Sequence, residues 1–65
     1  MIELHRLNFE KVFVNPDLIR FIEEKPDVTL TFLNGEKLVV KNSPKEILEK
    51  IINFRKAYQV SIPHN

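Results

Sequence analysis

Apolar and polar residues alternate from the second position: Ile2 and Leu4 take one side, Glu3, His5 and Arg6 interrupt them. A period of two predicts a half-buried strand. Lys11-Val12-Phe13-Val14, β-branched and aromatic, predicts the returning strand. A three-residue connection centred on Asn8 sets Leu4 opposite Val12 and Ile2 opposite Val14. That register gathers all four apolar side chains on one face, and a slip by one residue would scatter them.

The same parity argument applies further on. Val28 to Phe32 is the clearest strand in the chain, and Glu36 to Lys41 returns from it. A two-residue turn at Asn34-Gly35 would pair Leu30 with Val39 and set Leu38 and Val40 beside the threonines. A three-residue loop, Leu33-Asn34-Gly35 with a left-handed Gly35 in a bulge, pairs Leu30 with Leu38 and Val28 with Val40. Only the longer loop unites Val28, Leu30, Phe32, Leu38 and Val40, so it is preferred.

Asn15-Pro16-Asp17 reads two ways. Pro16 fits the second position of a turn leading into a strand from Leu18 to Glu24. Equally, Asn15 fits the N-cap of a short helix with Pro16 at its first position and Leu18, Ile19 and Ile22 inward. The residues favour the strand modestly, and both readings stay open. Glu24-Lys25-Pro26-Asp27 is a turn, because Pro26 pushes Lys25 out of the helical region.

Ser43-Pro44-Lys45-Glu46 starts a helix: Ser43 as N-cap, Pro44 at N1 and Glu46 closing a capping box at N3. Ile47, Leu48, Ile51, Ile52, Phe54 and Tyr58 then form a broad apolar stripe. Residues 61–65, with Pro63, read as a flexible tail. The expected fold is α+β: a single domain over 1–60, a small antiparallel β-meander of four to five strands packed by one C-terminal helix.

Composition narrows the chemistry. Sixty-five residues with no cysteine can use neither a disulfide nor a thiolate metal site, so self-association is expected. A net charge of +1 is not the surplus of a dedicated nucleic-acid binder. Lys37, Lys41, Lys45, Lys50, Arg55 and Lys56 interleave with Glu46 and Glu49 as a solvated face, though Phe13 or Tyr58 would be available to stack on a base. The longest aliphatic run, Leu38-Val39-Val40, is far too short to span a membrane. The first residues carry no signal-peptide pattern, and a cytoplasmic location follows as the expectation.

Catalytic chemistry finds no foothold. His5 and His64 stand on a strand and in the tail, without further ligands at metal spacing. Glu23, Glu24 and Asp27 flank a turn, and Ser43 has a capping role and no base nearby in sequence. Gly35 is the only glycine, so no glycine-rich phosphate loop exists. Neither an enzyme nor a cofactor is expected.

The string Met1-Ile2, Leu4, Arg6-Leu7-Asn8, Asn15-Pro16-Asp17-Leu18-Ile19, Ile22-Glu23-Glu24, Pro26-Asp27, Asn34-Gly35 and Val39-Val40-Lys41 resembles the small flagellar FlbD family, which includes the swarming motility protein SwrD. The resemblance covers about Met1 to Tyr58. It implies a non-enzymatic accessory of bacterial flagella that raises motor power through the stator or a neighbour, peripheral at the flagellar base. Arg6, Leu7, Asn8, Asn15 and Pro16, or an edge strand, are the expected partner surface. Two positions depart from the pattern: Phe9 stands where the family commonly has Gly, and Arg20 where an acidic residue is usual. A bulky left-handed residue is disfavoured by roughly 1 kcal/mol or more, so the first turn must differ or carry strain. The rival reading is a small dimeric RNA-binding regulator of the CsrA type, against which stand the missing glycine-rich first turn and the absent basic surplus.

Overall fold

A computed structural model describes residues 1–60, with side chains placed for 1–57. The expected tail, with His64, and the side chain of Tyr58 lie outside the described residues. Strands β1 (Ile2–His5) and β2 (Lys11–Val14) form a hairpin, and a 3-10 turn (Pro16–Leu18) leads into β3 (Ile19–Glu23). Then come β4 (Thr29–Phe32), β5 (Lys37–Val39) and the helix α1 (Pro44–Val60). The fold is α+β, with the five antiparallel strands divided between a two-stranded sheet, β1-β2, and a three-stranded sheet, β3-β4-β5.

Both hairpins have the register that unites their apolar residues: Ile2 faces Val14, Leu4 faces Val12, and Leu30 faces Leu38. Their turns are the same object built twice. In Arg6-Leu7-Asn8-Phe9-Glu10 the Phe9 N–H donates to the Arg6 carbonyl at 2.9 Å, and the Arg6 N–H to the Glu10 carbonyl at 2.9 Å. In Phe32-Leu33-Asn34-Gly35-Glu36 the matching bonds measure 2.9 and 2.8 Å. In each, the asparagine Oδ1 accepts the N–H of the following glutamate at 3.0 Å. The fourth residue is left-handed in both, Gly35 at φ 90° and Phe9 at φ 70°. Gly35 is there for its backbone alone, since a Cβ would meet nothing within 4 Å. Of the two outcomes left open, a different turn or a strained one, Phe9 shows the second, with φ in the left-handed region, and the Lys41 ammonium lies 4.4 Å from its ring centroid.

Between the hairpins, both readings of residues 16–24 hold in succession. Asn15 caps the 3-10 turn, its Oδ1 accepting the Asp17 N–H at 3.0 Å, with Pro16 in the first turn. The chain then extends as β3. The ladder to β4 runs Ile19–Phe32 and then Phe21–Thr31, so Arg20 is an extra, bulged residue. The bulge resets the parity, which lets Ile19 and Ile22 both pack on the core while Phe21 points outward.

The core joins all layers: Ile2, Leu4 and Val14 from the first sheet, Leu30, Leu38 and Val40 from the second, and Ile47 from α1. The two sheets meet where the Lys41 N–H donates to the His5 carbonyl at 2.8 Å. The next residue, Asn42, is only 5% exposed. Its Oδ1 accepts the His5 N–H at 2.8 Å, and its Nδ2 donates to Glu46 Oε2 at 3.0 Å. Ser43 Oγ accepts the Glu46 N–H at 3.1 Å, as an N-cap should. The carboxylate of Glu46 is turned to Asn42, so the reciprocal half of the capping box is replaced by a tie to the strand.

The helical stripe is narrower than the sequence suggests. Ile47, Ile51 and Phe54 pack on the core within an arc of about 60°, whereas Leu48 and Ile52 are each 52% exposed. On β4, the buried Thr31 hydroxyl has no hydrogen-bond partner among the described residues.

Asn42→Ala should cost about 2 kcal/mol in urea unfolding, because it leaves the part-buried His5 N–H without its partner and removes the bond to Glu46, whose exposed carboxylate returns to solvent. Asn8→Ala, which loses one exposed bond, should cost less than half of that. Gly35→Ala should destabilise by about 1 kcal/mol through backbone strain alone. Phe9→Gly should instead raise stability by roughly 0.5 kcal/mol, relief of strain exceeding the lost exposed cation–π contact. Equal costs for the two turn variants would refute the shared geometry as the cause.

Candidate functional site

The residues expected as a partner surface are not brought together. Arg6, Leu7 and Asn8 lie at one end of β2 and Asn15 and Pro16 at the other, a four-residue strand of about 13 Å between them. Asn8 and Asn15 spend their Oδ1 atoms on the Glu10 and Asp17 amides, and Pro16 is buried. The asparagines therefore have structural occupations. Arg6 and Leu7 remain on the surface.

Two other surfaces are better built for contact. The first is a groove of about 390 Å³ whose exposed apolar members are Met1, Phe13, Leu18 and Leu33. Phe13 has the outward parity of β2, opposite to Val12 and Val14. Leu33 sits in the second hairpin turn and Leu18 ends the 3-10 turn. The Leu33 N–H donates to the Leu18 carbonyl at 2.8 Å, which holds the two leucines side by side. Asn15 and Asn34 lie along the groove, and Glu36 is the one charged side chain lining it among the described residues. Sequence reasoning missed this assembly because its members come from four separate elements. The available signal was that each is a large apolar residue at an outward or turn position.

The second groove, of about 430 Å³, runs between β3 and α1. Ile19, Ile22 and Ile51 form its floor, and Phe21 and Leu48 stand exposed at its rim. Its charged lining residues are Arg20 and Arg55. Arg55 Nη1 lies 3.1 Å from Asp17 Oδ1, and the Arg20 guanidinium lies 5.5 Å from the Phe21 ring centroid. β3 ends its sheet, so one of its backbone edges has no strand partner among the described residues.

Residues with reactive side chains are not gathered into either groove. His5 Nε2 lies 3.7 Å from Glu3 Oε2 on the β1 hairpin. Glu23, Glu24 and Asp27 are exposed around the β3–β4 connection. Among the described residues, no three His, Cys, Asp or Glu side chains stand close enough together to hold a metal ion. No helix among them is long and apolar enough to cross a membrane.

Comparison with known proteins places this arrangement. The family model FlbD, flagellar and swarming motility proteins, matches residues 1–59. No curated protein and no solved structure matches the chain. With all but the last six positions inside the match, the chain belongs to the FlbD family.

Proposed function

We propose, with membership of this flagellar and swarming motility family as the premise, that the protein is a non-enzymatic accessory of the bacterial flagellum. It supports motor power and swarming by binding a motor or stator-associated protein, working in the cytoplasm at the flagellar base. It does so as a self-associated unit, in the manner of SwrD-type motility factors.

The first groove carries this reading. A monomer of 65 residues that leaves Met1 68% exposed and Phe13 59% exposed around one apolar groove keeps a surface suited to another protein chain. Interfaces between identical chains are the more apolar kind, and a groove lined by a single carboxylate fits that kind. The small core adds a motive, since a domain near the lower size limit gains stability from each partner that binds only its folded form.

Deleting the gene should leave flagella assembled while lowering swarming and the torque of tethered cells. Normal torque and swarming in the deletion strain would end the motor reading. Separately, sedimentation of the purified chain should show an assembly larger than one copy. Leu33→Glu and Phe13→Glu, both on exposed side chains, should shift it to monomer with unchanged circular dichroism. A wild-type chain that sediments as a monomer at all concentrations would remove self-association.

A further inference from the structure

We propose that the groove between β3 and α1 receives an extended, acidic segment of another protein, added as a strand on the open edge of β3. This rests on the reading that the chain acts through protein contact, and it names the chemistry of that contact.

The shape comes first. The groove is lined by four consecutive strand residues, 19–22, and by Pro44, Leu48, Ile51 and Arg55 on the helix. The helical positions are separated by four, three and four residues, eleven steps in all, so they form one stripe along the axis. At 1.5 Å per residue the stripe is about 16 Å long. The groove lies between the two elements, and about five residues of extended chain match a stripe of that length. β3 has no strand on one side among the described residues, and past Ile19, whose N–H goes to the Pro16 carbonyl, and the bulge at Arg20, that edge is open to the backbone of an incoming strand.

The side chains then select. An added strand turns alternate side chains toward the floor of Ile19, Ile22 and Ile51, which calls for apolar residues at every second position. The intervening residues reach the rim, where the charged groups are Arg20 and Arg55. Arg55 already meets Asp17, but both side chains are more than half exposed, so this pair is weak and open to exchange with a second carboxylate. Arg20 faces no carboxylate within ion-pair distance among the described residues. Carboxylates at the alternate positions complete both. A second copy of this chain is a poor occupant, because edge-to-edge pairing of two β3 strands brings two Arg20 side chains into one groove.

Fluorescence anisotropy of the purified full chain tests this with a labelled hexapeptide alternating Glu and Val. A Lys-Val analogue and a copy with alternate amides N-methylated serve as controls. The Glu-Val peptide should bind saturably and both controls about tenfold or more weaker. Arg20→Glu should weaken it about fivefold and favour the Lys-Val peptide, whereas Arg20→Lys should stay within about twofold. Arg20 is exposed and bulged, so circular dichroism of both variants should match the parent. Equal binding of Glu-Val and Lys-Val peptides, undiminished binding of the N-methylated copy, absence of saturation, or tighter binding of a single-stranded RNA oligonucleotide would each overturn the proposal. Because the readout is binding by purified protein, normal motility in a deletion strain would count against the flagellar reading alone.

Discussion

One buried amide holds the layers of this protein in a fixed relation. Asn42 follows the last strand, precedes the helix cap, and is bonded to both neighbours that the core brings beside it. Its carbonyl oxygen takes the His5 N–H, which would otherwise face the sheet junction unpaired. Its amide takes the Glu46 carboxylate, which fixes the first helical turn against the strands. Apolar contacts among seven buried residues supply attraction but little direction. The asparagine supplies the direction, because an amide satisfies a donor and an acceptor at once only in a narrow range of orientations. The line of Ile47, Ile51 and Phe54 on the core, and with it the groove beside β3, depends on that angle.

Much of this was legible in the residues because strand side chains alternate. Parity selected the three-residue turns, and both hairpins have that register. The cap at Ser43 follows from local backbone chemistry, so it too could be read directly, whereas Phe9 stood out only against the family's usual glycine. What resisted reading is tertiary. Asn42 carries no signal of its own in the sequence, and only the neighbouring β1 edge gives it an occupation. The width of the helical face was overestimated because Leu48 and Ile52 have the right residue type, while the layer beneath is too narrow to reach them. The segment after Asn15 seemed to require a choice between helix and strand. Its five residues before Phe21 contain a turn of one and the start of the other, joined by a bulge that no periodicity announces. The surface is the least legible part: Asn8 and Asn15 have structural occupations, and the grooves are assembled from residues far apart in sequence.

The architecture divides the apolar residues of this small chain into two sets. One set, chosen by inward parity, closes the core. A second set, outward or in turns, stays at the surface in two places of different character. The groove at Phe13 and Leu33 is apolar with little charge, and the groove at β3 combines an apolar floor with arginine at its rim. Membership of a flagellar and swarming motility family suits a protein whose surface, more than its interior, carries its information.

The bulge in β3 has a consequence for how such a surface changes over generations. In a regular strand every residue belongs to one face or the other, and its replacement is judged by the neighbours on that face. Arg20 has no partner across the ladder. It is the inserted residue, outside the ladder to β4 and outside the core, yet it lines the groove. Mutation at this position is thus uncoupled from folding: charge can be kept, lost or inverted with little penalty elsewhere.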